Sequence, residues 1–414
     1  MNTLTGISFY QSVFERDENN QPLTFGEIIR RTKNLAGSSN NKRSFTLIGD
    51  PALQIGLPKE KISLDSINQI AINQFNDTLK ALDIVEATGT IESPTTTKLR
   101  DGEILLTIYD KPMQVSTLGQ NSDSPILPFT TQTSLLFKGR ATLKNGRFKI
   151  RFKLPKDLNY SYGKGKFAVY GQNEITDGVG VDNSILIGGI NNISEKDTIG
   201  PSLRAYLNDP TFTDGGMVNE NPTLYIDLKD SNGINISTNG IGHSITGILD
   251  GVTSQPIELN SYFISDINTY QSGKINYKFS RITPGKHQLK LKAWDNLNNS
   301  SSTTLNFTVS ESTKIDVQRL INYPNPFTSK TTFLFEHNQT GRQINTRLQI
   351  MTITGKVVQQ FEKTLTPTTN LVSIDWDGKD EFGDQLAKGV YVYRLIVTNN
   401  NNEIIEKIEK LILL

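Results

Sequence analysis

The chain has 414 residues with 43 Lys and Arg against 42 Asp and Glu, a formal charge of +1, so bulk electrostatics selects no partner and only local patches can. It contains no cysteine, which excludes disulfides, Cys-ligated metals and thiol catalysis within these residues. Length allows two to four domains at ~100–200 residues each, and 36% hydrophobic content with 32 Gly and 13 Tyr against 4 Met suits many short strands and turns.

No run approaches the ~20 apolar residues of a membrane helix. The amino terminus, MNTLTGISFYQSVFERD, lacks a basic start followed by a continuous apolar core, so no signal peptide is expected in it. In TFGEIIRRTKNLAG, Thr24 and Glu27 stand at capping-box spacing, Phe25, Ile28, Ile29 and Leu35 roughly follow a helical period, and Gly37 is a stop. FTLI, residues 45–48, reads as a short buried strand ended by a Gly-Asp-Pro turn. Two helical segments and one four-residue strand cannot bury each other's apolar faces. Residues 1–58 are therefore expected to close an α/β sheet whose other strands lie elsewhere; a small helical cap on the next domain is the plainer alternative.

Residues 59–195 contain one weak helical segment, DTLKALD, and then strands. The clearest is a hairpin, LLFKGRATLKNGRFKIRFKLP, in which Asn145-Gly146 suits a type I′ turn. Across it Leu143 is predicted opposite Phe148, Ala141 opposite Ile150 and Phe137 opposite Leu154. The other face carries Lys138, Arg140, Lys144, Arg147, Lys149, Arg151 and Lys153. Like charges directly opposite one another destabilise a hairpin. Carboxylates such as Asp101, Glu103 or Asp110 could offset that, as could solvation with local ion pairs or an anionic partner such as an acidic polysaccharide. The hairpin lacks the interleaved aromatics that would favour nucleic acid.

Residues 196–311 alternate apolar and polar positions in TLYIDLKD, KINYKFSRI, HQLKLKAWDN and TTLNFTVS, with Gly/Asn/Asp turns between them, as an immunoglobulin-like sandwich would. Trp294 is expected in its core. Residues 312–322 read as a linker, and YPNPF at 323–327 as a rigid entry to a last β-sandwich over 323–414.

Little in the chain points to catalysis. His243, His287 and His337 lie in separate segments, and neither HExxH nor GxSxG occurs. DWDGKDEFGD begins like a calcium loop but has Gly at its fourth position and Leu386 where a glutamate is needed. No catalytic residue, metal ligand or cofactor is expected.

Three groups of motifs carry a resemblance. GEIIRRTKN and FTLIGDPALQIGLP resemble the end of the catalytic α/β domain of gingipain-family cysteine peptidases. GPSLRAYLND, GINISTNGIGHSI and DNLNNSS resemble the segment downstream of that domain in the PorU-like sortase family of the type IX secretion system of Bacteroidetes. YPNPF, FLFEHN, TITGKVV, WDGKDEFGDQLAKGVYVYRL and KLILL resemble a type IX carboxy-terminal domain.

The resemblance implies a mainly β chain: tandem immunoglobulin-like sandwiches preceded by a short α/β remnant of a gingipain-like, caspase-type domain. It implies a surface protein of the outer membrane whose full form removes carboxy-terminal domains from cargo and joins cargo to anionic lipopolysaccharide. Residues 323–414 would dock on the PorV barrel, with PorQ and PorZ as further partners. The family's catalytic Cys and His lie upstream of the GDPAL stretch, so this chain alone would be inactive. The rival reading is a self-contained secreted adhesin or carbohydrate-binding cargo whose last domain is a cleaved sorting signal. Retention or loss of residues 323–414 in the mature surface protein separates the two.

Overall fold

The computed structural model describes residues 2–19, 21–37, 44–92, 98–120, 124–191, 197–311 and 315–414. The chain is mainly β, with two α-helices at its start, α1 (Asn2–Val13) and α2 (Phe25–Leu35). Thr24 caps α2, its hydroxyl accepting the Glu27 amide at 3.3 Å. Glu27 does not complete the capping box. It pairs instead with Arg30 at 2.6 Å and Arg31 at 2.8 Å, and these hydrogen bonds hold its carboxyl down to about 2. The Gly-Asp-Pro turn supplies what the box does not: the free amides of Phe25 and Gly26 donate to the carbonyls of Leu53 at 2.8 Å and Pro51 at 2.9 Å. Gly37, at φ +71°, ends the helix as expected.

FTLI is not a strand. Ile48 is 97% exposed, because an extended segment needs a neighbouring ladder to satisfy its amides and none of the described residues offers one. The apolar cluster here, Val13, Leu23 and Ile28 with Phe9, Phe25 and Ile55 at its margin, is far smaller than the cores of the β units.

In the first β unit, seven strands form a ring in the order Asp177–Asp182, Lys166–Gln172, Gly102–Tyr109, Leu135–Lys144, Arg147–Lys153, Ile84–Ile91, Glu60–Ile67. It closes through a short parallel pair, Glu60 to Gly178 and Lys61 to Val179. Gly180 permits this approach, since a Cβ there would lie 1.9 Å from the Ile62 carbonyl oxygen. The interior is filled by Val85, Ile104, Leu106, Phe152 and Phe167, all fully buried. DTLKALD, expected as helical, contributes the strand Thr78–Ala81, which pairs in parallel with Leu186–Ile190. Its alternating burial shows why: Leu79 and Ala81 face the core while Thr78 and Lys80 do not.

The hairpin turns at Asn145 and Gly146 with φ of 51° and 70°, as a type I′ turn requires. Leu143 does face Phe148 and Lys144 faces Arg147, but the pairing stops there. Ala141 lies opposite Ile104, Phe137 opposite Ile108 and Ile150 opposite Ala87. The expected Ala141–Ile150 and Phe137–Leu154 pairs do not form because each strand follows its other neighbour around the ring. The edge of Leu135–Lys144 left free is taken by the second unit. The Arg140 amide donates to Ser265 Oγ at 3.0 Å, the Asn268 amide to the Arg140 carbonyl at 2.9 Å, and the Thr142 amide to Asn268 Oδ1 at 2.9 Å.

The second unit stacks a four-stranded sheet (Ser202–Leu207, Thr223–Lys229, Ser272–Lys278, Phe263–Ser265) on a five-stranded one built on Gly285–Trp294 and Ser300–Val309. Trp294 is only half-buried, at the end of its strand, against the His243 ring at 4.4 Å and beneath Lys292 at 4.0 Å. Successive strand residues alternate faces, so Trp294 lies with Lys290 and Lys292 on the side opposite the buried Leu289, Leu291 and Ala293, which explains the departure from the core role.

The third unit packs three strands (Val317–Tyr323, Thr331–His337, Leu371–Trp376) against four (Val357–Leu365, Ile344–Thr352, Gly389–Asn399, Ile404–Leu413). Val317–Tyr323 belongs to this sandwich, pairing with Thr331–His337, so most of the expected linker is a strand; residues 312–314 of it lie outside the described residues. The Tyr323–Pro324 and Asn325–Pro326 peptide bonds are cis.

Candidate functional site

Helix α1 exposes apolar residues along one side and buries hydroxyls, together with Val13 and the half-buried Phe9, on the other. Thr5, Ser8 and Ser12, spaced three and four apart, are buried, while Leu4, Ile7, Tyr10 and the following Phe14, at the same spacing, are 58%, 51%, 69% and 67% exposed. A helix usually buries its apolar stripe and shows water its hydroxyls. Here Thr5, Ser8 and Ser12 share the buried side with Phe9 and Val13, while the Leu4, Ile7, Tyr10 and Phe14 stripe faces outward. Ile48, Leu53 and Leu35 are exposed in the same amino-terminal segment, and a cleft of about 400 Å³ lies between Thr5, Phe9, Ile29, Thr32 and Phe45. Apolar surface of this kind marks an interaction site. The sequence contains the signal, a Leu-x-x-Ile-x-x-Tyr-x-x-x-Phe stripe, but only the burial of the opposite face shows that it is unpartnered.

The seven basic residues of the hairpin divide into two groups. Lys138 donates to the Ser261 carbonyl at 3.1 Å, and burial lowers its ammonium pKa. Arg140 pairs with Glu103 at 3.3 Å and donates to the Ser265 carbonyl at 3.1 Å. Lys153 is 3% exposed and donates to Asn232 Oδ1 at 2.8 Å. These three serve the contact with the second unit. Lys144, Arg147, Lys149 and Arg151 remain exposed around the turn. Lys149 pairs with Glu86 at 3.0 Å, and the other three have no ion pair among the described residues. Of the carboxylates considered as compensation, Glu103 reaches the face. Asp101 accepts the Asn145 amide instead at 3.1 Å, and Asp110 is buried against Lys111 at 2.6 Å.

The fold also gathers Asp197, Asp230 and Asp295, whose carboxylates lie within 4.8 Å of one another. Burial pushes Asp230 up to about 6; Asp295 and Asp197 add repulsion, against the Asn232 amide and Lys153. Burial raises Asp295 as well. Each opens a turn: Asp197 Oδ1 accepts the Ile199 amide at 2.9 Å, Asp230 Oδ1 the Asn232 amide at 2.7 Å and Asp295 Oδ1 the Asn299 amide at 2.7 Å. Hard oxygens in such a set suit a hard cation, yet their visible work is turn formation. The sequence offered only three separate turns, DTIG, DSNG and DNLNN, with no spacing to connect them.

The histidines remain apart. His243 Nδ1 meets Asp157 at 2.7 Å, His287 Nδ1 meets Asp250 at 2.7 Å, and His337 is fully buried in the third unit. In DWDGKDEFGD the carboxylates serve the turn, with Asp380 Oδ1 accepting the Phe382 and Asp384 amides at 3.0 and 2.9 Å. No helix among the described residues is long and apolar enough to cross a membrane.

Residues 321–412 match the family model described as a secretion system C-terminal sorting domain, which implies handling by the type IX secretion machinery and export to the cell surface. No curated protein matches the chain. Among solved structures it is similar to dimeric latent PorU from Porphyromonas gingivalis, with 29% identity and a TM-score of 0.38 over 97% of this chain; it spans 38% of that one. It is also similar to a tetra-tandem repeat from the extending region of a large adhesion protein, at 11% identity and TM-score 0.19 over 86% of this chain and 74% of the other. The FN1–FN3 domains of chicken CNTN1 match at 11% identity and TM-score 0.19, over 86% and 98% of the two chains.

Proposed function

We propose that this chain is the non-catalytic carboxy-terminal part of a PorU-like sortase, which in full removes carboxy-terminal domains from cargo and attaches cargo to anionic lipopolysaccharide. The observation that carries the reading is the outward apolar stripe of α1 over a core too small to stand alone. Leu4, Ile7, Tyr10 and Phe14 would pack against the gingipain-like α/β peptidase domain, whose last helices these residues would form. The first two β units would hold that domain at a distance from residues 323–414, which would dock on PorV, with PorQ and PorZ in the same assembly. The proposed division places units at 1–58, 59–195 and 196–311, with the last sandwich starting at Val317, ahead of the expected boundary at 323.

The test is co-purification with a gingipain-like α/β domain carrying a Cys and His, encoded in frame upstream of Met1. The combined Leu4→Asp and Ile7→Asp variant should weaken association at least tenfold while leaving the β units folded. Equal association of the variant, or no such coding sequence, sinks the reading.

The cargo reading shares the sorting domain. Against it stands the junction between the second and third units. Arg319 bridges Glu336 at 3.0 Å and the Asp214 carbonyl at 3.4 Å, and Asn370 Nδ2 donates to the Met217 carbonyl at 3.3 Å. Asn338 Nδ2 donates to the Glu311 carbonyl at 3.0 Å. These bonds seat the third unit on the second, as a retained domain would be seated. This favours retention of residues 323–414.

The exposed group Lys144, Arg147, Lys149 and Arg151 is the candidate for an anionic partner, and a sortase of this kind would offer it anionic lipopolysaccharide. Reversing Arg147, Lys149 and Arg151 to Glu should cut binding to that polysaccharide at least tenfold at low salt and flatten its salt dependence. Unchanged binding returns these residues to ordinary solvated status. Lys153 is left out of the test because reversing a buried charge would destabilise the fold.

A further inference from the structure

We infer that the loop 230–245 and the segment 261–268 of the second β unit lock it to the first, so that the two open as one cooperative body of fixed angle. Two separate surfaces carry this, and it stands independently of the sortase reading.

The first surface is the loop that leaves the strand Thr223–Lys229 and enters Thr246–Leu249. Asn235 Nδ2 donates to Asp157 Oδ2 at 2.8 Å, Ser237 Oγ to the Asp157 carbonyl at 2.7 Å, and Asn239 Nδ2 to Asp110 Oδ2 at 2.6 Å. His243 meets the same Asp157 Oδ2, and Asn298 Nδ2 holds its other oxygen at 2.8 Å. Gly240 passes so close that a Cβ would lie 2.3 Å from the Asp157 carboxylate. Asp110 is itself buried and paired with Lys111, whose ammonium also donates to the Asn159 carbonyl at 2.7 Å. Asp110 keeps Lys111 and the Asn159 amide, at 2.9 Å, within the first unit. Parting the units therefore removes the Asn239 bond to a charged acceptor, one of the stronger kinds of hydrogen bond.

The second surface is the sheet edge of Leu135–Lys144 left free when the hairpin strands part. One backbone bond, from the Asn268 amide to the Arg140 carbonyl, continues the ladder into the second unit, with an isolated parallel bridge from Arg140 to Ile267. Apolar contacts join the same elements. Leu135 is buried in the core of the second unit, and Tyr270 packs against the core of the first. Neither unit can open fully without exposing groups buried by the other, and opening units of this kind are cooperative.

The experiment is hydrogen exchange by mass spectrometry on the full chain across a urea series, reading Arg147–Lys153 for the first unit and Thr223–Lys229 for the second. In the native protein the two segments should lose protection at one shared midpoint. Asn239→Ala with His243→Ala should split that midpoint in two, and Asn268→Ala, at the other surface, should do so independently. Separate midpoints in the native protein overturn the inference. So does a shared midpoint that survives both variants while each remains folded.

Discussion

Replacing Phe333 with alanine is expected to cost the carboxy-terminal sandwich about 3–5 kcal/mol, the range for deleting a fully buried phenylalanine. Phe333 is 0% exposed and sits between Trp376, its ring centroid 6.0 Å away, and Tyr393, at 4.8 Å. The strand carrying it is central in its three-stranded sheet, flanked by Val317–Tyr323 and Leu371–Trp376, so neither neighbour can collapse into the cavity without breaking a ladder. Domains of this size are stable by only ~5–15 kcal/mol. The loss would therefore leave a substantial unfolded fraction, and with it poor surface display. The urea midpoint for protection of Ile344–Thr352 measures the effect; a cost below about 1 kcal/mol would mean that the aromatic stack does not organise this core.

The second large effect is acid sensitivity centred on His337. Its side chain is fully buried, Nδ1 accepts the Gln339 amide at 3.0 Å, and Nε2 has no hydrogen-bond partner among the described residues. Burial lowers its pKa to about 4 from an ordinary 6.5, with no neighbouring charge contributing to the shift. The folded state therefore holds the neutral ring while the unfolded chain takes up a proton. Stability from this group is intact above the unfolded value of 6.5 and is lost as pH falls from there to about 4. The loss amounts to about 3 kcal/mol, at ~1.4 kcal/mol per pH unit. His337→Gln removes the titrating ring. The difference in unfolding free energy between native and His337→Gln protein should change by that amount between about pH 7 and pH 4. A flat difference across that range would show that the ring is protonated inside the fold.

The strands of the second and third units were readable because one face of each is buried and the other is not. TLYIDLKD, HQLKLKAWDN and TTFLFEH alternate in sequence and alternate in burial. DTLKALD misled because four residues between turns satisfy a helical and a strand period equally well, and the parallel partner Leu186–Ile190 lies far downstream. FTLI misled for the opposite reason: its composition suits a strand, but no described neighbour supplies the ladder. At the hairpin, the turn chemistry of Asn145-Gly146 fixed the first two pairs and nothing beyond them. Closure of the ring and the arrival of Asn268 decided the rest.

The candidate sites divide the same way. That seven cations share two adjoining strands is a statement about sequence. That Lys138, Arg140 and Lys153 are spent on the second unit while four others stay exposed is a statement about tertiary packing. The Asp197, Asp230 and Asp295 cluster depended on three loops meeting. So did the exposure of α1's apolar stripe depend on packing, since Leu4, Ile7, Tyr10 and Phe14 are ordinary until the opposite face of the helix is found buried.

By itself, the sequence determined what local chemistry can determine: the absence of thiol chemistry, the alternating strands, the type I′ turn, the Thr24 cap and the motifs of a sorting domain. Tertiary structure decided which faces are free, because exposure depends on partners far away in the chain. It turned the Gly-Asp-Pro stretch from the expected end of a strand into the cap of a helix, by placing the Pro51 and Leu53 carbonyls at the two amides that helix leaves open.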